Sequence, residues 1–254
     1  MAIFASFNRR KKSRSVATSF RSSDRKKRLT GKSPFIIKEA YSALRAQLAF
    51  FGRLEKQPVY VICSALAGSG KTVTAVNIGT SFAMTGSRVL LIDADMRNPN
   101  VHKYFRVYSE TGLSEYLAGI TDEVAPLHTD VEGLDVLPAG AIPPNPAELL
   151  AGGNRFEELI TRARENYDYI FVDTPPLGMV VDAAIISDWV DGYLMVVRSN
   201  FGRREEVRYA LDVLEQKNAP ISGFVLNSIS SRVNKKYNST YRHGMGYKYD
   251  YHKG

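Results

Sequence analysis

The sequence contains a single cysteine, Cys63, so no disulfide can close within the chain, a composition that suits a reducing compartment. Its four histidines are scattered and offer no metal-ligand spacing. Long apolar runs are also missing. The longest resemble "PVYVIC" and "GYLMVV", whereas a bilayer span needs roughly 20 apolar residues. No apolar stretch of the signal-peptide kind precedes the first basic cluster. A membrane span, a secreted disulfide scaffold and a histidine or cysteine metal site are therefore not expected, and the chain is placed in the cytoplasm. Its 254 residues suffice for one large α/β domain.

The charge is unevenly spread. Residues 1–33 hold eleven Lys or Arg against one Asp, a net of +10, so the rest of the chain sums to −2 of the +8 total. With no sustained apolar period, residues 1–33 read as a disordered basic tail. One reading is a solvated tail. The sharper one is an anionic partner, foremost the inner membrane leaflet, at about 1 kcal/mol per basic residue. Nucleic acid is not expected, because no aromatic and basic binding module accompanies the charges.

From residue 34 the pattern turns regular. Ala40, Leu44, Leu48 and Phe51 recur at helical spacing. Apolar strand-like runs follow at 59–64, 88–93, 134–138, 169–173, 192–197 and 222–227, with helical periods between them, such as 72–86. Strands apolar on both faces, alternating with helices, predict a doubly wound, mostly parallel sheet of the P-loop NTPase type over 34–231. Residues 232–254 lose all periodicity and read as a flexible tail.

"ALAGSGKT" (65–72) follows the first strand and opens a helix, the setting a phosphate loop requires. Gly68 and Gly70 let backbone N–H groups wrap an anion, and the helix N-terminus adds partial positive charge. Ala67, Gly68, Ser69, Gly70, Lys71, Thr72 and Val73 are the expected nucleotide contacts. Lys71 would neutralise the β- and γ-phosphates, and the Thr72 hydroxyl would bind Mg²⁺. "LLIDADMR" (90–97) puts Asp93 and Asp95 at the end of a buried strand, on one side by alternation. Such carboxylates repel unless a cation sits near them. "YIFVDTPP" (169–176) ends a second buried strand in Asp173, in the form that holds Mg²⁺ in P-loop proteins. Asp95 and Asp173 are thus the expected metal residues beside Thr72, and Lys71, Asp93 and Asp95 the catalytic ones, with Asp93 as proton acceptor. Asp182 and Asp188 read as helix-terminal or surface groups, and Cys63 as core. In "PPNPAELL" (143–150), Asn145 can cap a helix with Pro146 first and Glu148 closing a capping box.

Together, the phosphate loop, "DADMR", "DTPP" and "PPNPAELL" resemble the bacterial tyrosine kinases of capsule and exopolysaccharide synthesis, P-loop proteins related to division-site and partitioning ATPases. The resemblance spans about residues 35–254. Two departures stand out. That family carries E-x-x-R-x-x-R in its first helix, linked to ring assembly; here Glu39 and Arg45 are kept, but Ser42 replaces the middle arginine. Leu66 occupies the place of the signature lysine of positioning ATPases, which favours the kinases. The resemblance implies ATP and Mg²⁺, and an adenine-reading role for Asn227. It implies self-association, with a ring as one arrangement, and a membrane adaptor that activates the chain at the inner face of the membrane. Other tyrosine substrates are implied as well.

Five of the fourteen tyrosines fall in the last eighteen residues: Tyr237, Tyr241, Tyr247, Tyr249 and Tyr251. Beside Gly244 and Gly246, and without apolar anchors, these phenols could extend into a neighbour's site. They are the expected phosphoacceptors of an autophosphorylating kinase. The alternative is a positioning or partitioning ATPase switch that phosphorylates nothing; a third reading is a nucleotide-binding adaptor without activity.

Overall fold

The computed structural model describes residues 22–51 and 56–229. Its strands are Val59–Cys63 (β1), Val89–Asp93 (β2), Leu127–His128 (β3), Leu134–Leu137 (β4), Tyr169–Asp173 (β5), Gly192–Arg198 (β6) and Ile221–Asn227 (β7). They form one sheet in the order β3-β4-β2-β5-β1-β6-β7. Every pairing is parallel except β3 with β4. The six apolar runs all became strands. The two-residue edge strand β3 lacks such a run and was not expected.

Helices Phe35–Phe51 (α1), Lys71–Ala83 (α2) and Val101–Phe105 (α3) cover one face of the sheet. Leu113–Leu117 (α4), Pro146–Ala151 (α5), Arg155–Asn166 (α6), Asp182–Ile185 (α7) and Arg204–Glu215 (α8) cover the other. Alternation along β1 divides its side chains between two cores. Val59, Val61 and Cys63 pack beneath α4 to α8, while Tyr60 and Ile62 pack beneath α1 to α3. Each fully buried aliphatic side chain of this kind contributes about 1.5–3 kcal/mol. This two-sided covering explains why the central strands are apolar throughout. Among the described residues no helix is long and apolar enough to cross a membrane.

Asp182 opens α7, as a helix-terminal group, and is buried there. Two local expectations change. Asn145 stands before α5, with Pro146 in its first turn, but its side chain makes no cap hydrogen bond. Second, the basic tail does not remain unstructured through residue 33. Ser22–Lys27 form a 3-10 turn, and the segment straps across α2 and α3. The Asn77 side chain accepts from the Leu29 N–H at 2.7 Å and donates to the Lys27 carbonyl at 3.0 Å. Leu29 is buried. The Arg25 Nε donates to the Lys103 carbonyl at 2.8 Å, and Arg28 pairs with Asp130 while lying over the Phe105 ring. One buried leucine and one buried amide anchor a stretch whose composition alone suggests disorder.

Arg45 on α1 turns inward, donating to the carbonyl and hydroxyl of Ser81 at 2.8 and 3.1 Å. In this chain it ties α1 to α2.

Candidate functional site

The central strands β2, β5 and β1 are adjacent and parallel, so their carboxyl ends lie side by side, where open α/β sheets bind ligands. Register sets Asp93 opposite Asp173, and Asp173 opposite Ile62 near the end of β1. The chain leaves β1 through the phosphate loop and enters α2 at Lys71. Three sequence-distant segments therefore meet by strand order alone.

Their side chains form a buried charged cluster. The Lys71 Nζ donates to Asp95 Oδ2 at 2.9 Å and stands 3.8 Å from Asp173 Oδ1. Burial by itself would lower the Lys71 pKa, but Asp173 and Asp95, with Asp93 beyond, outweigh it and raise the pKa above its ordinary value. Asp93 is fully buried, and its Oδ2 accepts from the N–H groups of Asn100 and Val101 at 3.0 Å each, at the start of α3. Burial, and then the neighbouring charge of Asp173, push the Asp93 carboxyl well above the usual carboxylate range. Burial likewise pushes Asp173 up to about 6, against the opposing pull of Lys71. Thr72 stands close enough to favour the charged form of Asp173 slightly. Nevertheless, neither oxygen of Asp173, nor Oδ1 of Asp93, accepts a well-formed hydrogen bond among the described residues.

Three carboxylates against one ammonium, with three orphaned oxygens, amount to a site short of positive charge. Buried polar atoms normally find partners, and a divalent cation with its water shell would supply what is missing here. Among the described residues no three acidic, histidine or cysteine groups converge tightly enough to hold a metal unaided. Mg²⁺ keeps several waters and shares nucleotide oxygens, so a few side-chain oxygens suffice for it, and Thr72, Asp95 and Asp173 are the residues that could hold it.

The loop is shaped for phosphate. Gly68 and Gly70 sit at φ of 80° and 92°, a left-handed conformation that costs other residues roughly 1–2 kcal/mol. A Cβ on Gly70 would come within 2.1 Å of the Asn227 side-chain nitrogen. Asn227, at the end of β7, donates to the Ser69 carbonyl at 3.0 Å, and its Oδ1 accepts from the Ser228 N–H. Ala67 is exposed at the loop tip, Ser69 is buried, and Val73 packs towards the core below α1 to α3.

Sequence reasoning missed several participants. Arg198, ending β6, donates to the Gly68 carbonyl at 3.1 Å, with its guanidinium over the Phe201 ring. Phe201 in turn lies against Gly68. Their position at and just past a strand's carboxyl end was the available signal. Asp182, expected as a helix-terminal or surface group, has a partner that the sequence did not show. It is 1% exposed and grips Arg97 of "DADMR" through both oxygens, at 2.9 and 3.1 Å. Residues 230–254, with all five candidate acceptor tyrosines, lie outside the described residues.

Residues 59–202 match the family described as AAA domain. The tyrosine-protein kinase CpsD of Streptococcus pneumoniae serotype 4 is 38% identical over 199 residues, which cover 78% of this chain and 86% of that protein. The tyrosine-protein kinase etk of Escherichia coli K12 is 38% identical over 201 residues, 78% of this chain and 27% of that longer one. The solved kinase domain of Escherichia coli tyrosine kinase ETK superposes with a TM-score of 0.73 at 35% identity, covering 85% of this chain and 80% of that domain.

Proposed function

Since this chain belongs to the bacterial tyrosine-protein kinase family, we propose that it uses Mg·ATP to phosphorylate its own terminal tyrosines, Tyr237, Tyr241, Tyr247, Tyr249 and Tyr251, between subunits. The process it serves is the synthesis or export of a surface polysaccharide. The observation that carries this reading is the buried cluster of Lys71, Asp93, Asp95 and Asp173 at the mouth of a phosphate loop, with carboxylate oxygens left unpaired.

Phosphoryl transfer asks chiefly for positioning and charge neutralisation. The backbone of 67–72 cradles the phosphates, and Lys71, held charged by its acidic neighbours, faces the developing charge on the terminal phosphoryl. Thr72, Asp95 and Asp173 would hold Mg²⁺, which would supply further neutralisation of phosphate charge. Asp93 has one oxygen committed to the start of α3 and one free; the free oxygen takes the phenolic proton late in the transfer. A carboxylate is a weak base for a phenol of pKa about 10, which a loose transition state tolerates. Arg198 and Phe201 brace the loop, and Asn227 stands beside it to meet the base of the nucleotide.

The chain works as a homo-oligomer beside a membrane adaptor that brings it to the inner face of the membrane. Each phosphate adds about −1.5 to −2 charges to the tail, which would loosen the assembly by repulsion. Mixing full-length Lys71→Met protein with wild-type protein cut after Asn234 tests transfer between subunits. Phosphotyrosine on the inactive, tail-bearing partner is the expected result. Release of phosphate with no phosphotyrosine in this mixture or in the intact chain would leave a positioning ATPase.

A further inference from the structure

Arg97 and Asp182 form a pair that the chemistry above does not use. Asp182 opens α7 and is 1% exposed, and both of its oxygens are occupied by Arg97 Nε and Nη2. The arginine side chain is 38% exposed, and its remaining nitrogen, Nη1, makes no hydrogen bond among the described residues. The aspartate is thus the fixed half and the guanidinium the presented half. Arg97 lies two residues beyond the buried Asp95, in the segment that leaves the carboxyl end of β2, where the carboxylates gather. The loop leading from Asp173 to Asp182 carries two exposed apolar side chains, Met179 and Val181, the second adjoining Asp182.

That combination faces a specific difficulty. An acceptor must enter a site already crowded with three aspartates. A phenol losing its proton becomes anionic, and phosphotyrosine leaves as a near-dianion. Asp93, Asp95 and Asp173 repel both. A guanidinium locked at the rim offsets that repulsion, and its planar fork suits phosphate oxygens. The apolar loop beside it offers a surface to an aromatic ring and nothing comparable to a serine.

We propose that Arg97 is the acceptor-recognition residue, with Asp182 as its positioning residue and Met179 and Val181 as the apolar lip for a tyrosine ring from a second copy's tail. This rests on the kinase reading. In the step served, the bond from the γ-phosphorus to its bridging oxygen breaks and one to the phenol oxygen forms. The phenolic proton passes to the free oxygen of Asp93, and ADP departs. Arg97 engages the phenol oxygen as charge develops and then the new phosphate.

The test uses the full chain with Mg·ATP and a peptide of the sequence HGMGYKYDYHKG, comparing wild type with Arg97→Ala, Arg97→Lys and Asp182→Asn. Loss of one charge-assisted contact should raise the peptide KM about 10-fold in Arg97→Ala, with Mg·ATP affinity near wild type. Arg97→Lys should recover part of that loss, and Asp182→Asn should raise KM by a smaller factor. An unchanged peptide KM in Arg97→Ala overturns the inference. So does an equal loss of Mg·ATP affinity, which would make the pair merely structural. A wild-type chain that hydrolyses ATP without phosphorylating the peptide removes the kinase reading itself, and the inference with it.

Discussion

Asp173→Asn separates stability from function in this site. The Asp173 carboxyl is buried with no hydrogen-bond partner for either oxygen, and its pKa rises from 3.8 to about 6. A shift of roughly two units corresponds to about 3 kcal/mol by which the ionised group disfavours the folded, metal-free state. An asparagine amide removes that charge but remains poorly partnered, which costs about 1–3 kcal/mol. The expected net effect in EDTA without nucleotide, at pH 7.5, is a gain of about 1 kcal/mol. For a domain of this size that is a rise in Tm of about 2–4 °C. The pH dependence has a definite sign. Because the folded pKa is raised, the wild-type penalty is fully present above about 6, shrinks as the folded state takes up its proton, and is gone below the ordinary value of 3.8. The gap between variant and wild type should therefore narrow from pH 7.5 to pH 5. Adding Mg·ATP should reverse the order, since the variant loses a metal contact and with it the stabilisation by ligand. Thermal melts at the two pH values, with and without Mg·ATP, make the comparison. An asparagine variant that melts below wild type in EDTA at pH 7.5, or a gap equal at both pH values, would refute the reasoning.

Gly70→Ala should weaken Mg·ATP binding by more than about 10-fold, because the new Cβ meets the Asn227 amide at 2.1 Å and a left-handed φ adds strain; calorimetric titration checks it, and wild-type affinity would mean Asn227 simply swings aside. Asn77→Ala should free the segment 22–33. Two hydrogen bonds, one buried and one part-buried, are lost, at about 1–3 kcal/mol, so trypsin should cut after Arg25 to Arg28 about 5-fold to 100-fold faster by the same free energy. Unchanged cleavage would show that Leu29 and Arg28 hold the strap by themselves.

The sheet and most of its site were legible in the sequence because central parallel strands are buried on both faces and leave unbroken apolar runs. Asp93 and Asp173 were visible as charges that abruptly end such runs, and the register then sets them opposite each other. What escaped the reading depends on contacts that composition does not encode. Residues 22–33 look like solvated basic tail, yet the buried Leu29, the Asn77 amide and the contacts of Arg25 and Arg28 fasten them. Asp182 looked like an ordinary helix opener; its burial follows from Arg97 arriving from a loop 85 residues away in sequence. β3 has only two residues, too few for any period to show. Asn145 has the right type for a cap, but its side chain makes no cap bond.

The most direct measurement is mass-spectrometric mapping of the intact chain after incubation with Mg·ATP, beside Lys71→Met. Phosphate on Tyr237, Tyr241, Tyr247, Tyr249 or Tyr251 of the wild type, and none on the variant, is the expected result. An intact chain that releases phosphate yet carries no phosphotyrosine, or a Lys71→Met chain that labels as well as wild type, would contradict it.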